Sequence, residues 1–149
     1  MPDQPGRRPD LAALVHPLLQ ALIAAERAIL ARHDISMWGY SVLCALDGQP
    51  ARSQAALAQS IGADKTRIIS TLDELQDVGY IVREPDPADR RVHLLSITEA
   101  GRQKGRAAQA DIQAAEEDLL AELTPAQRKV FLEVLMTFND LPLGDILGR

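Results

Sequence analysis

Residues 53–98 place two short helices and a pair of strands in an order that few small folds accommodate. Ser53 is a favourable N-cap residue, and Leu57 and Ile61 lie one turn apart on one face of the helix that follows. Gly62 then interrupts the helical pattern, because glycine readily adopts the left-handed conformation that ends a helix. We therefore predict a short first helix that ends at this glycine.

A second helix is predicted from about Ala63 to Val78, with Gly79 as its stop. Ile68, Leu72 and Leu75 recur at i, i+4 and i+7, which assigns one apolar face of this helix to the core. At 100° per residue, the opposite face and its flanks are polar or basic. That face comprises Ala63, Thr66, Arg67, Ser70 and Glu74, with Lys65 and Thr71 on its flanks.

Two apolar or β-branched runs, residues 80–83 and 92–97, flank a loop that Pro85 and Pro87 stiffen. This pattern predicts a hairpin. Arginine in an Asp-Arg-Arg tip such as residues 89–91 can enter the narrow minor groove of DNA, while the carboxylate holds the guanidinium in one orientation. Behind two helices, this hairpin predicts a winged helix-turn-helix, a fold that binds duplex DNA.

In such a fold, the first turns of the second helix meet base edges in the major groove, and the helix dipole there favours phosphate. This placement predicts the role of each polar residue. Base contacts are assigned to Thr66, Arg67 and Ser70, phosphate contacts to Ser53, Lys65 and Thr71, and minor-groove entry to Arg91 or Arg90, braced by Asp89.

The same segment resembles the MarR family of bacterial transcription regulators. Asp89 and Arg91, followed after five residues by Ile97 and Thr98, match the family's Asp-x-Arg and Leu-Thr wing signature, with isoleucine in place of leucine. The resemblance in length and helix order covers nearly the whole chain, although only residues 53–101 carry distinctive motifs. It implies a mainly α fold with a small β-hairpin wing, and a homodimeric regulator whose two-fold symmetry requires a palindromic operator.

Both chain ends carry apolar stripes that the predicted winged region leaves uncovered. In the first stripe Pro17 either kinks a helix that begins near Asp10 or itself begins the firm helix. After the wing, one helix is predicted from Thr98 to about Glu122, and another is capped by Thr124. The predicted organisation is a disordered leader (1–9), an N-terminal dimerisation helix (10–34), a winged DNA-binding region (35–100) and C-terminal dimerisation helices (101–149).

The resemblance also implies a small anionic or phenolic effector, bound between the dimerisation layer and the winged region. A tryptophan beside a histidine or arginine can hold an aromatic carboxylate. Trp38, in a helix predicted from Ser36 to Leu46, and His16 and His33, in or beside the first helix, are the candidate effector-binding residues. We therefore expect a repressor that such an effector releases from DNA.

Two alternatives stay open. Some family members sense peroxides through a cysteine, and Cys44 is the only cysteine of this chain. It shares a helix face with Met37, Tyr40 and Ser41, which indicates a position near a subunit contact, and no cationic residue one turn away would lower its pKa. Winged helices also dock other proteins, and that alternative predicts no salt-dependent affinity for DNA.

The chain has 149 residues, of which 46% are hydrophobic, and this composition is enough for one domain with a real core. Its net charge of −5 does not favour binding to nucleic acid, but the acidic residues are concentrated near the C-terminus. Residues 107–149 hold three basic and eight acidic residues, whereas residues 48–106 hold nine and eight. We expect modest DNA affinity that falls steeply with salt.

Other function classes lack support in the sequence. The three histidines are scattered, no cluster has metal-ligand spacing, and no glycine-rich loop could cradle a phosphate, so we expect neither an enzyme nor a cofactor or metal. Residues 1–9 lack the apolar segment of a signal peptide. The uncharged run from Leu11 to Ala25 is shorter than the roughly 20 residues that cross a bilayer, so we expect a cytoplasmic protein without membrane contact.

Overall fold

The computed structural model describes residues 7–49 and 52–148, except for the side chain of Lys65. It is mainly helical with a small sheet, which confirms the predicted fold class. The residues up to Ile112 form one compact unit and those from Gln113 onward form a second. The elements are α1 (Leu11–Arg32), α2 (Met37–Leu46), β1 (Arg52–Ser53), α3 (Gln54–Ile61), α4 (Lys65–Asp77), β2 (Ile81–Pro85), β3 (His93–Ile97), α5 (Glu99–Leu120), α6 (Pro125–Asn139) and α7 (Leu143–Leu147).

Helix α1 begins at Leu11 and contains Pro17, so the helix does not begin at this proline. Only Ile29 and Leu30 of this helix are buried. By length and composition α1 is the one described helix that could cross a membrane, a test that core helices and signal sequences also pass. Much of its apolar surface is exposed in the single chain.

The helix-turn-helix forms where the capping residues predict it. Ser53 Oγ accepts a hydrogen bond from the backbone N–H of Ala56 at 3.1 Å, and Gly62 ends α3 with a φ of 66°. Helix α4 begins two residues later than expected, because Asp64 acts as its N-cap and accepts from the backbone N–H of Thr66 at 2.9 Å.

The predicted hairpin belongs to a three-stranded antiparallel sheet with the order β1-β3-β2. In the wing, Arg83 lies opposite Leu95, and on the other side of β3 Arg52 lies opposite the same leucine. Strand β1 was not predicted, because two residues are too few to show an alternating pattern. It ties the start of α3 to the wing.

The core of the first unit lies between α2, α3, α4 and the sheet. The predicted apolar face of α4 is confirmed, since Ile68, Leu72 and Leu75 are all buried. Burying a large aliphatic side chain stabilises the fold by about 1.5–3 kcal/mol relative to leaving it exposed. The largest side chains that are fully buried are Leu30, Leu43, Leu46, Leu57, Leu72, Ile81, Leu95 and Val42.

The connection from the wing to α5 explains the Ile97-Thr98 motif. Thr98 Oγ1 donates to the carbonyl of Gly79 at 2.6 Å and accepts from the backbone N–H of Gly101 at 3.1 Å. A Cβ on Gly101 would collide with the carbonyl oxygen of Tyr80. The start of α5 is thereby held against the turn that leads into β2.

In the second unit, α6 begins with a capping box. Thr124 Oγ1 accepts from the backbone N–H of Gln127 at 3.2 Å, and the Gln127 side chain accepts from the backbone N–H of Thr124 at 3.0 Å. Arg128 donates to Glu117 at 2.7 Å. Neither α6 nor α7 has a buried residue, although both carry large apolar side chains.

Candidate nucleic-acid interface

The exposed face of α4 carries the three residues that were predicted to read bases. Thr66, Arg67 and Ser70 are all exposed, whereas the apolar side chains on the other face are buried. The three side chains lie within the first two turns of the helix. They form a continuous polar surface in the position where a recognition helix meets base edges.

One of the two phosphate assignments on α4 changes. Thr71 is only 9% exposed, and its hydroxyl donates to the carbonyl of Arg67 at 3.3 Å, so we correct the prediction that it touches phosphate. It lines a cavity with Ser36 and Tyr80 instead, because it lies closer to the apolar face than to the polar one. The assignment of Lys65 lies outside the described residues, since its side chain is not described.

Asp64 also alters the expected electrostatics at the start of α4. Its carboxylate occupies the helix N-terminus that was expected to favour a phosphate through the helix dipole. A second anion at the same backbone N–H groups would face this carboxylate. Positive charge for a DNA backbone therefore has to come from side chains and not from this helix end.

Arg83 fixes α4 relative to the wing. Its guanidinium forms an ion pair with Asp73 and donates from Nε to Gln76 Oε1 at 2.6 Å. Both acceptors lie in α4, whereas Arg83 lies in β2. This contact was not predicted, because its partners are seven and ten residues away and no local pattern links them.

The tip of the wing has the geometry that its sequence predicts. Asp89 Oδ1 accepts from the backbone N–H of Arg91 at 3.1 Å and from Arg91 Nε at 3.4 Å. The side chain of Arg91 is nevertheless 93% exposed, and Arg90 is exposed beside it. The carboxylate thus orients a guanidinium that still projects into solvent.

A groove connects the start of α3 with the base of the wing. We call it the wing groove; it has a volume of about 330 Å³ and is lined by Ser53, Gln54, Ala55, Ala58, Ile68, Arg91, Val92 and His93. It contains two predicted DNA contacts, Ser53 and Arg91. Gln54 and His93 were not predicted, although each directly neighbours or closely follows a predicted contact along the chain.

The three candidate effector-binding residues lie in different environments. His16 is exposed on α1 and Trp38 is half-buried on α2. His33 Nε2 lies 2.7 Å from Asp111 Oδ2, and its carbonyl accepts from Lys104 Nζ at 2.8 Å. None of the three lines the cavities of about 330, 360 and 410 Å³, so their joint role stays a prediction.

A cavity of about 410 Å³ lies beside an ion-pair cluster that sequence reasoning missed. Arg106 donates to both carboxylate oxygens of Asp47, at 2.9 and 3.1 Å, and Arg102 donates to the same carboxylate at 3.2 Å. The hydrogen bond from Arg106 is the main cause that lowers the pKa of Asp47. The carboxylate therefore stays charged and links the end of α2 to α5.

Cys44 lines the same cavity and is exposed, in agreement with its predicted position outside the core. Partial burial of the thiol raises its pKa; a hydrogen bond with Tyr40 opposes this, and the carboxylates of Asp47 and Glu26 add to it. A raised pKa reduces the thiolate fraction on which peroxide chemistry depends. Among residues 7–49 and 52–148, no group of three His, Cys, Asp or Glu residues could hold a metal ion.

Comparison with known proteins identifies the fold and the family. The model of the MarR family matches residues 33–92. A protein of Thauera aromatica, named as a transcriptional regulatory protein for the hcr operon, is 30% identical over 139 residues, which cover 85% of this chain and 84% of that protein.

Solved structures support the same family. The transcriptional repressor CouR bound to a 23-mer DNA duplex has a TM-score of 0.76 and 28% identity, and the match covers 87% of this chain and 92% of that one. CouR from Rhodococcus jostii RHA1 bound to p-coumaroyl-CoA has a TM-score of 0.72 and 27% identity, over 87% and 91%. On this likeness and on the wing that Asp89, Arg91 and Thr98 build, the chain belongs to the MarR family of DNA-binding transcription regulators.

Proposed function

We propose that this chain acts as a homodimer that binds a palindromic double-stranded operator and represses transcription until a small aromatic or anionic effector releases it. The observation that carries the proposal is the exposed polar face of α4 beside a wing whose Arg91 is both oriented by Asp89 and open to solvent. A recognition helix and a wing together occupy a major groove and the adjacent minor groove.

In this proposal Thr66, Arg67 and Ser70 contact base edges in the major groove. Arginine and the hydroxyl residues can donate to acceptors on the bases there, and arginine pairs best with guanine. Their exposure on one face of α4 supports this role. The hydrogen bonds from Arg83 to α4 would hold that face at a constant position relative to the wing.

The wing is proposed to insert Arg91, with Arg90 beside it, into the minor groove. Because Asp89 already restricts Arg91, less conformational entropy is lost when the guanidinium becomes ordered on DNA. Ser53 is proposed to contact a phosphate. Its hydroxyl accepts the capping hydrogen bond from Ala56, and its own proton can be donated to a phosphate oxygen.

Dimerisation is supported by the apolar side chains that the single chain leaves exposed. They lie on the helices assigned to the two chain ends, residues 10–34 and 101–149, and exposed apolar side chains in such number on a helix face mark a protein interface. The exposed large apolar residues of α1 and α6 are Leu11, Leu14, Val15, Leu19, Val130, Val134, Leu135, Met136 and Phe138.

An effector is proposed from the relatives. CouR, 27% identical, has been solved with p-coumaroyl-CoA, an aromatic acyl thioester that also carries anionic phosphates. For this chain His16, His33 and Trp38 stay the proposed contacts. An effector would release DNA by binding more tightly to a dimer whose two recognition helices no longer match the operator spacing.

Two further parts of the proposal concern enzymatic activity and cellular location. Its relatives are named as transcription regulators, and we propose that this chain has no enzymatic activity. A bacterial operator lies in the cytoplasm, so we place the protein there. The exposed apolar stripe of α1 is accordingly assigned to the partner subunit and not to a membrane.

The test is a fluorescence anisotropy titration of the purified full chain against the duplex immediately upstream of its own gene. A scrambled duplex of equal length and composition is the control, and both are measured at two salt concentrations. We expect selective binding at two chains per site, with an affinity that falls as salt rises. Equal, weak binding to both duplexes would contradict the proposal and favour a protein-docking role.

A further inference from the structure

We propose that Asp47, Arg102 and Arg106, called here the Asp47 cluster, hold the winged region on α5 and thereby set the spacing of the two recognition helices on the operator. All three are positioning residues, because their role requires no contact with DNA. This inference rests on the proposed function, since spacing matters only for a dimer that binds two half-sites.

The Asp47 cluster joins the two parts of the chain that such a dimer has to hold together. Asp47 directly follows α2, a helix of the buried core, whereas both arginines lie in the first half of α5. Helix α5 leads into the helices assigned to dimerisation. The orientation of the winged region relative to α5 therefore depends on how firmly the end of α2 is held against that helix.

The geometry of the cluster restricts direction as well as distance. Arg106 donates from Nε to Asp47 Oδ2 at 2.9 Å and from Nη2 to Oδ1 at 3.1 Å. Two hydrogen bonds between a planar guanidinium and a carboxylate restrict rotation more than a single one does. Arg102 adds a hydrogen bond from Nε to Oδ1 at 3.2 Å and is itself held by Glu99 at 2.9 Å. The carboxylate is thus bound from two successive turns of α5.

The charges of the cluster are unfavourable within their own helices. Asp47 lies at the C-terminal end of α2, where the helix dipole disfavours a carboxylate. Arg102 and Arg106 are four residues apart on α5, a spacing at which like charges repel each other. The contacts between α2 and α5 offset both penalties. Charges that conflict with local helix stability indicate that their role lies in the contact between the two helices.

The packing beside the cluster leaves room for α2 and α5 to rotate relative to each other. The cavity of about 410 Å³ is lined by both helices, with Cys44 on α2 and Gln109 on α5 among its residues. Close approach occurs at Gly105, where an added Cβ would lie 3.3 Å from Cβ of Leu43. One close contact next to a cavity does not fix an angle. The hydrogen bonds of the Asp47 cluster, on either side of Gly105 in the sequence, restrict this rotation.

The spacing of half-sites makes operator binding sensitive to that angle. A symmetric dimer places its recognition helices in major grooves about one helical turn of DNA apart, which is about 34–36 Å. Both half-sites are bound together only when the two helices match this spacing. A looser contact between α2 and α5 broadens the range of spacings that the free dimer adopts. Such a dimer loses more entropy on its own operator and tolerates other spacings better.

Electrostatics and positioning predict opposite effects for Asp47→Asn. Loss of the carboxylate removes one negative charge from each subunit, which by itself would strengthen binding to any duplex. Loss of positioning weakens binding to the operator alone, because non-specific DNA imposes no spacing. The ion pair is partly exposed, with the Asp47 side chain 23% and the Arg106 side chain 63% exposed, so the fold should keep most of its stability.

The experiment titrates the full chain against the upstream duplex, the scrambled duplex and the upstream duplex with one base pair inserted at its two-fold centre, located by footprinting. One inserted base pair moves the half-sites apart by about 3.4 Å and rotates them by about 35°. For wild type we expect the insertion to weaken binding about tenfold. For Asp47→Asn we expect binding to the upstream duplex to weaken about threefold to tenfold and the insertion to cost only about threefold.

Two further variants separate positioning from charge. Arg106→Gln changes the charge in the opposite direction, yet it should show the same reduced penalty for the insertion and the same loss of selectivity over the scrambled duplex. Asp34→Asn is the matched control. Asp34 is exposed in the loop before α2, and asparagine tolerates its φ of 56°, so this variant should bind all three duplexes as wild type does.

The outcomes separate this inference from the proposed function. If wild type binds the upstream duplex selectively but Asp47→Asn keeps its affinity and the full penalty for the insertion, the role of the Asp47 cluster is overturned and the regulator stands. A reduced penalty in only one of the two cluster variants overturns it as well, since the contact needs both partners. If wild type does not distinguish the upstream from the scrambled duplex, both are overturned.

Sedimentation equilibrium and thermal unfolding, followed by circular dichroism, accompany each titration. We expect both cluster variants to remain folded dimers under the titration conditions. Loss of the dimer or of the fold in both variants would also overturn the inference, because the cluster would then stabilise the protein and not position its recognition helices.

Discussion

The two compact units differ in whether they contain a buried apolar core. In the first unit, up to Ile112, apolar side chains from α2, α3, α4 and the sheet form a buried core, although α1 leaves most of its apolar side chains exposed. In the second unit, α6 and α7 bury none of their residues. Leu72 is 0% exposed and Leu135 is 44% exposed, although each lies on the apolar face of a regular helix.

This difference indicates that the first unit is stabilised by its own core, whereas the second unit needs another surface to cover its apolar side chains. The first unit has a core of its own, so its winged helix-turn-helix can hold its shape within one chain. The second unit exposes apolar surface that water disfavours by about 25 cal/mol per Å². Its helices acquire a core only when another surface covers them, and the proposed second subunit supplies that surface.

The largest effect is expected from Leu72→Ala in the first unit. Removing a fully buried leucine side chain leaves a cavity and should lower the free energy of unfolding by about 2–5 kcal/mol. Urea denaturation followed by circular dichroism measures it. Leu135→Ala is the matched control, and we expect its effect to depend on protein concentration. An equal loss in both variants at every concentration would remove the contrast between the two units.

Next in size is Val134→Asp in the second unit. Val134 is 42% exposed in the single chain, and a carboxylate there would be buried without a partner if α6 forms the dimer interface. We expect dimerisation to weaken by about 2–4 kcal/mol. Sedimentation equilibrium measures it, and Lys129→Asp, on another face of α6, should leave the dimer intact. A dimer unaffected by Val134→Asp would show that α6 lies outside the interface.

A smaller loss is expected from Arg91→Ala, which tests the wing without touching either core. If Arg91 enters the minor groove, operator binding should weaken by about 1–3 kcal/mol, while the monomer-dimer equilibrium stays unchanged. Anisotropy titration on the upstream duplex gives the affinity. Arg8→Ala removes the same charge outside the winged region and serves as control. Affinity retained by Arg91→Ala would take this residue out of the interface.

The smallest effect is expected from Asp47→Asn, which weakens the link between α2 and α5. Arg106 holds the pKa of Asp47 below its usual value of 3.8. The charged carboxylate therefore stabilises the fold at any pH above its unfolded pKa. This stabilisation is lost as the pH falls through the lowered pKa of the folded state. The pair is largely solvent-exposed, which keeps its contribution small. The urea midpoints of wild type and Asp47→Asn should differ at pH 7 and converge in acid; a constant difference would contradict this assignment.

Short-range patterns predicted most of the helix-turn-helix. The capping hydrogen bond of Ser53, the left-handed Gly62 and the buried face of α4 all depend on residues within one or two turns of one another. Helix α4 nevertheless starts at Lys65 and not at Ala63, because the short side chain of Asp64 captures a backbone N–H at that point. A periodic pattern of apolar residues does not show which of several neighbouring residues caps the helix.

The candidate site was predicted only in part. The contact between Asp89 and Arg91 spans two residues and was predicted correctly, whereas Thr71 proved to be buried by side chains from other elements. The inclusion of His93 in a groove with Ser53 depends on the pairing of β1 with β3. Nothing in the local sequence specifies that pairing.

By itself the sequence determined the order of the main helices, the caps of α3 and α6, the wing and the residues at its tip, because each depends on contacts between near neighbours in the chain. Only the tertiary structure decided which distant residues meet. His33 lies beside Asp111, 78 residues away, and Arg106 binds Asp47 across 59 residues. Closing such loops costs entropy that only the packed core offsets, so these contacts follow from the fold as a whole and not from any local pattern.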